Sequence, residues 1–460
     1  MEIEFLGATG EVTGSRYLIR AAGHHVLLEC GQIQGSHADE ARNVESLPIP
    51  VEQIDAVVLS HAHIDHSGRI PLLVRQGYSG PIYTQHASRA LCEIMLRDSG
   101  YLHEKDAEWE NKKRERKGLS PVTPLFTRDD AEQAMDLFKS LNYDTEKEIL
   151  PGLSICFRDA GHILGSAIVE IRTQADHATQ KLVFSGDLGQ AESPLMEGPA
   201  TVKEADLVVM ESTYGNRLHR PFDATLTELA EIFSVASADG GNILIPAFAV
   251  GRTQDLLYLM SKHFDEWELH GWKIFLDSPM AIQATDVYYR YRNLYEAKLF
   301  RDGAARPDLR NLEMSRTSED SMAINSLKSG TIIIAGSGMC SGGRIKHHLK
   351  NNIWRKECHI IFVGFQARGT LGRKIVDGAE RIRLWGETIS VGATVHTVGG
   401  LSAHADQRGL IDWYDGFKGT PPVYLVHGEP KNQEVLADRL REKSGATVHI
   451  AKCGQRVSFD

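Results

Sequence analysis

No two of the six cysteines, Cys30, Cys92, Cys156, Cys340, Cys358 and Cys453, stand in a Cys-x-x-Cys pair. That scatter argues against a thiolate zinc site and against a disulfide framework, and the six are expected to be reduced and buried. No apolar run approaches the length of a membrane span. The opening stretch, Met1-Glu2-Ile3-Glu4-Phe5-Leu6-Gly7, lacks the basic and apolar regions of a signal peptide, so a cytoplasmic location is expected. Internal repeats and low-complexity tracts are missing too. Positive charge is not in excess: a net charge of −10 excludes a chain coated with basic surface, yet leaves room for a locally basic cleft that holds nucleic acid. What is present is an ordinary globular composition, 42% apolar over 460 residues, enough for two or three domains with a sizeable core.

The most chemically loaded stretch is His61-Ala62-His63-Ile64-Asp65-His66, directly after the apolar run Ala56-Val57-Val58-Leu59. Imidazole and carboxylate suit a borderline cation such as zinc, and a bend at a strand end can turn alternate side chains toward different ions. Four candidate ligands in six residues are too many for one tetrahedral ion that keeps a position open for water, so two ions are expected. The competing reading is a polar turn with exposed histidines. The doublets His24-His25 and His347-His348 have no carboxylate in a comparable setting, and we read them as structural or surface residues.

In order along the chain, the first 60 residues alternate in period two between glycine-rich breaks, which predicts antiparallel strands. Residues 101–118, with Lys112-Lys113-Arg114-Glu115-Arg116-Lys117, predict a polar helix or lid, either a solvated face or an RNA contact. Three more strands end in reactive groups: one at Asp159-Ala160-Gly161-His162, one at Asp187, one at Glu211. Loops at strand ends are where layered folds assemble sites. Beyond Glu211 the pattern becomes alternating helix and strand, the mark of a separate domain with a parallel sheet. Residues 301–320 are read as a loop. Strand-like alternation returns from Ile382 to Val398, followed by Ser402-Ala403-His404-Ala405-Asp406 and Val426-His427-Gly428-Glu429. The first domain is therefore expected to be interrupted by the second: 1–211, an insertion at 212–392, and completion at 393–460.

These motifs, over nearly the whole chain, resemble the metallo-β-lactamase superfamily and, within it, the β-CASP nucleases. The compact bacterial type, similar to the nuclease subunit of the pre-mRNA 3′-end cleavage machinery, is a better match than members with added KH or C-terminal domains. The resemblance implies an α/β fold: an αββα sandwich carrying an inserted β-CASP domain with a largely parallel sheet flanked by helices. It implies one zinc held by His61, His63, His162 and Asp187, and a second held by Asp65, His66, His427 and the bridging Asp187. Two ions sharing a carboxylate stand roughly 3.5 to 4 Å apart and lower the pKa of bound water to about 7. The implied reaction is hydrolysis of a phosphodiester in single-stranded RNA by a zinc-bridging hydroxide. His404 is the general acid, Glu211 orients it, and Asp65 and Asp187 complete the catalytic set. Histidine at position 427 is the form found in RNA-directed rather than DNA-directed members. Glu29 stands where the superfamily usually has the shorter aspartate, which bears on the geometry supporting the metal loop.

Substrate contacts are expected from Ser337 and Gly338, in the glycine-rich stretch Gly336–Arg344 between a strand and a helix. Backbone amides there can receive a phosphate, and a tight structural turn explains the same residues. Arg252, Arg344, Lys346, Arg368 and Arg373 are expected to line an electropositive channel. The expected partners are single-stranded RNA and, in a homodimer, a second copy of the chain, with no membrane. Two alternatives stand beside this: a hydrolase of a small thioester or lactam and a DNA-directed β-CASP nuclease. A non-catalytic RNA-binding scaffold is a third. Endonucleolytic and 5′-3′ exonucleolytic cutting both fit the residues.

Overall fold

A computed structural model of the chain describes residues 1–175, 178–301 and 309–459. They form two compact units: the first comprises Met1–Ala191, Gly198–Leu218 and the chain from His404 onward, the second Glu192–Glu197 and His219–Ala403.

The first unit is an αββα sandwich. Its first sheet runs, edge to edge, through Arg456–Ser458, Glu2–Phe5, Tyr17–Ala21, His24–Leu28, Ala56–Val58, Ile82–Gln85 and Phe138–Leu141. Pairing is antiparallel up to His24–Leu28 and parallel beyond it. The second sheet runs through Val448–Ile450, Val423–Val426, Leu207–Glu211, Ala178–Phe184, Ala167–Ala175, Leu153–Asp159 and Lys147–Leu150. Ile3, Phe5, Tyr17 and Leu28 of the first pack against Phe157, Val169, Phe184 and Val209 of the second. The Phe5 ring stacks on Tyr424 at 5.4 Å, and Tyr17 lies 5.3 Å from Phe184.

Leu207-Val208-Val209-Met210 is apolar at every position because successive side chains face opposite layers. Leu207 and Val209 point between the sheets, while Val208 and Met210 meet Leu410, Trp413, Leu436 and Leu440 of the helices Gln407–Tyr414 and Pro430–Ser444. Residues 101–118 lie largely in the helix His86–Glu115, whose first turns pack near Ile82–Gln85.

The second unit holds a six-stranded, wholly parallel sheet in the order Leu312–Met314, Lys273–Leu276, Thr331–Ala335, Ile243–Pro246, His359–Phe362, Thr394–Thr397. Parallel neighbours require crossovers, supplied by helices such as Arg252–Lys262, Pro279–Arg290 and Ile345–Asn352. A separate hairpin pairs Arg381–Leu384 with Glu387–Ser390.

Three expectations need correction. Residues 302–308 of the expected loop lie outside the described residues, but the remainder of 301–320 contains the strand Leu312–Met314 and the start of the helix Ser318–Ile324. That helix has a capping box, Thr317 accepting from the Asp320 N–H and Asp320 accepting from Thr317. The strand at Thr394–Thr397, expected in the closing part of the first domain, pairs instead with His359–Phe362 in the second unit. Cys453 is exposed, whereas the other five cysteines are buried and free. Among the described residues no helix is long and apolar enough to cross a membrane.

Candidate metal centre

The 61–66 stretch is a bend followed by a helical turn: strand Ala56–Val58 ends, His63 stands at the helix start, and Ile64–Ser67 closes onto the His63 carbonyl. Gly31 lies beneath it so tightly that a Cβ would fall 1.7 Å from the Asp65 carbonyl oxygen. The His162 and Asp187 loops are also locked together, since a Cβ on Gly189 would fall 1.9 Å from the Gly161 carbonyl oxygen. Neither position has space for any side chain.

Two groups of donor atoms result. In the first, His61 Nε2 lies 3.1 Å from His63 Nδ1, and His162 Nε2 lies 3.2 Å from that same nitrogen. Asp187 Oδ2 is 3.5 Å from His61 Nε2 and 3.6 Å from His162 Nε2. Ligands about 2.0–2.2 Å from one tetrahedral ion stand about 3.3–3.6 Å from one another, and these distances, two within that range and two one or two tenths of an ångström below it, are close to that spacing. In the second group His427 Nε2 lies 3.5 Å and His66 Nε2 3.9 Å from Asp65 Oδ2. Asp187 Oδ2 reaches this group too, at 3.3 Å from His66 Nε2. His66 Nε2, His427 Nε2 and Asp187 Oδ1 are buried with no hydrogen-bond partner, an arrangement that is costly unless a cation completes it.

The outer ring nitrogens of His61, His66 and His427 are held by other side chains. Glu29 accepts from His66 Nδ1, from the Ser60 N–H at 2.6 Å and from the Ser60 hydroxyl at 2.9 Å. That hydroxyl accepts from His61 Nδ1 at 3.0 Å. Thr213 Oγ1 meets His427 Nδ1 at 3.0 Å. In each case a proton on Nδ1 suits these partners and leaves Nε2 turned inward, the orientation a metal ligand requires. Glu29 therefore reaches His66 directly and His61 through Ser60. Ser60 and Thr213 were not singled out from sequence: a lone hydroxyl beside a motif carries no pattern.

Charge follows the same geometry. Burial, then the neighbouring His66, pushes His61 well below its ordinary value, and burial pushes His63 down to about 4. Burial opposes ionisation of Asp187, but His427, His66 and His404 outweigh it and hold the carboxyl well below the usual range. His404 goes the other way. Burial disfavours its cation, but Glu211 and Asp187 overcome that and raise it to about 9. His404 Nδ1 donates to Glu211 Oε1 at 3.1 Å, and Nε2 points inward, 3.9 Å from Asp187 Oδ2. Glu211, fully buried, also accepts from the Leu188 N–H at 2.7 Å.

A metallo-beta-lactamase superfamily domain model matches residues 18–212, a Beta-Casp domain model 253–375, and a Zn-dependent metallo-hydrolase RNA specificity domain model 388–451. Ribonuclease TTHA0252 of Thermus thermophilus is 38% identical over 99% of this chain and 100% of its own length. The chain belongs to the β-CASP group of the metallo-β-lactamase superfamily. Transcription termination factor FttA of Methanocaldococcus jannaschii is 31% identical over 96% of this β-CASP chain and 69% of its own length. A solved protein of unknown function from Enterococcus faecalis shares the fold, with 13% identity, a TM-score of 0.55 and 99% of each chain covered.

In the β-CASP unit, Ser337 and Gly338 follow the strand Thr331–Ala335, and Arg368 is exposed after His359–Phe362. Both lie beyond carboxyl ends of parallel strands, where such sheets bind ligands. Gly338 permits a close approach of Phe248, whose ring a Cβ would meet at 3.0 Å. Gln366, absent from the sequence reading, donates to the Gly338 carbonyl at 3.0 Å. Arg252 is nearly buried at the start of its helix. Arg344 differs from the expectation of a channel-lining cation. Its guanidinium donates to Asp277 at 2.7 Å and to the carbonyls of Ser315 and Arg316, so its charge is committed internally.

Proposed function

We propose that this chain is a zinc-dependent ribonuclease that hydrolyses phosphodiester bonds of single-stranded RNA. The observation that carries this is the convergence of seven donor residues into two groups sharing Asp187, in a chain 38% identical to a protein named as a ribonuclease. His61, His63, His162 and Asp187 would hold one zinc, and Asp65, His66, His427 and Asp187 the other. When bound, two such ions supply a nucleophilic water at neutral pH and neutralise charge on the phosphoryl oxygens.

The chain's own groups do the rest. His404 carries a proton on Nε2 at neutral pH and delivers it to the departing 3′ oxygen, while Glu211 holds the ring by Nδ1 and favours the cation. Ser337, Gly338, Arg252 and Arg368 hold RNA phosphates, and Arg344 braces their loop from behind through Asp277. The protein works in the cytoplasm, alone or as a homodimer.

Incubating metal-analysed protein with a linear and a circular RNA of one sequence tests this reading. Cutting of the circle identifies an endonuclease, and digestion of the linear molecule alone a 5′-3′ exonuclease. Inertness on both, with two zinc ions bound, refutes it.

A further inference from the structure

The β-CASP unit carries a basic, tryptophan-bearing strip that the site described above does not use. In the hairpin, Ile382 and Leu384 are buried while Arg381 and Arg383 are exposed, so the two guanidiniums share one solvent face. Their partners across the ladder, Ser390 and Thr388, are exposed as well. At the turn Trp385 is 55% exposed. The helix Ile345–Asn352 lies alongside. At one end the Trp385 ring meets His347 at 4.5 Å and the Lys346 ammonium at 5.2 Å. Lys350 pairs with Glu387 in the middle at 2.7 Å. At the far end the N–H groups of Gly392 and Ala393 donate to the Ile353 carbonyl, next to Trp354, a second indole 55% exposed.

Of the cations Arg381, Arg383, Lys346 and Lys350, Lys350 is paired with Glu387, and Glu380 is exposed next to Arg381, in a chain whose net charge is −10. Among the described residues neither Arg381 nor Arg383 has a carboxylate partner. Burying less than half of an indole exposes apolar area to no folding benefit, and cations spaced along a two-stranded ribbon with an aromatic face at each end match a chain of phosphates carrying stackable bases. His347 to Trp354 spans roughly 10 Å of helical rise, room for a few nucleotides. The helix begins directly after the glycine-rich loop at Gly336–Arg344 of the same unit.

We propose that this strip is a second RNA-binding surface: phosphates lie on Arg381, Arg383 and Lys346, and a base stacks on the open face of Trp385. The proposal rests on the ribonuclease reading and adds to it a contact outside the metal centre.

The test uses the full-length, metal-loaded protein and a fluorescein-labelled single-stranded oligouridylate of roughly 30 nucleotides, several times the site size of one binding groove. Equilibrium binding is measured over a salt series for the wild type, Trp385→Ala, Arg381→Gln/Arg383→Gln and the control Lys418→Gln, whose side chain is exposed in the other unit. Trp385→Ala should raise Kd at least about fivefold. The arginine double variant should raise it further and flatten the slope of log K against log salt by about 1.4, two contacts at about 0.7 each. Lys418→Gln should bind as the wild type does. Photocrosslinking of 4-thiouridine RNA to the wild type should label Trp385, a readout independent of how the variants fold. Wild-type affinity and slope in both strip variants, or crosslinks confined to other segments, would overturn this proposal and leave the ribonuclease reading standing. Failure of the wild type to bind or cut RNA would overturn both. Binding of RNA unchanged, with the strip instead protected by a second protein, would assign it to a protein partner and reject the RNA surface.

Discussion

Glu29 occupies a left-handed backbone conformation, φ 64°, and from there its carboxylate spans Ser60 and His66. Through Ser60 it also fixes His61, so one buried acid orients a ligand in each group. Glu29→Ala should therefore weaken zinc binding by about 10–100-fold, measured by competition with a chromogenic chelator. His427, also left-handed at φ 50°, belongs to the second group alone. His427→Ala should lose one zinc equivalent and keep the other by elemental analysis, and full occupancy in that variant would remove it from the ligand set. The candidate ligands at 61–66 were legible because imidazoles and carboxylates so close together are rare chemistry, while His162, Asp187 and His427, and His404 as the acid, came from the resemblance to the family. Glu29's reach, Ser60 and Thr213 depend on distances across the fold, which spacing along the chain does not encode.

Among elements, the strand Lys273–Leu276 and the helix Ile345–Asn352 are joined by one buried carboxylate. Asp277 accepts from Ser321 at 2.6 Å, from His348 Nε2 at 2.6 Å and from Arg344 at 2.7 Å. Burial opposes its ionisation, but the bonds from His348, Ser321 and Arg344 prevail and hold it below its ordinary 3.8. A folded-state pKa below the unfolded value stabilises the protein fully above about pH 4, and that contribution fades as pH falls through the depressed value. Asp277→Asn should cost about 3 kcal/mol at neutral pH in urea unfolding followed by tryptophan fluorescence, with the deficit shrinking below pH 4. A constant deficit down to acid pH would show that the charge is not what binds these elements. Strands and helices with strong periodicity were readable from sequence, including a parallel sheet implied by the alternation after Glu211, though not its strand order. The three-residue strand Leu312–Met314 was not, because its burial is partial and its ladder partner lies 38 residues away, as in Ile274 against Leu312. The doublet His347-His348 resolves into one surface and one buried residue, a distinction that helical position sets and composition hides.

For the molecule as a whole, a net charge of −10 and a substrate made of phosphates are reconciled by locality: cations gather on particular strips, and the metal centre supplies its own positive charge. Chain order also matters at this scale. His404 and His427 come more than two hundred residues after Asp187, with the second unit intervening, yet stand within 3.9 Å of its carboxylate. The strand-like pattern at Ile382–Val398 falls in the second unit, and the strand that closes the first is Val423–Val426, paired with Leu207–Glu211. The geometry of that closure required the fold. The proposed role of His404 is that of a protonated acid beside a metal centre it does not help to build. The measurement that tests it is single-turnover cleavage of single-stranded RNA by wild type and His404→Ala across pH, with zinc content determined on the same samples. The variant should retain both zinc ions and cleave at least about 100-fold more slowly, and the wild-type rate should fall as pH rises through about 9, where the imidazolium is lost. A variant that cuts RNA at the wild-type rate, or that is slow only because its zinc has gone, would remove His404 from that role.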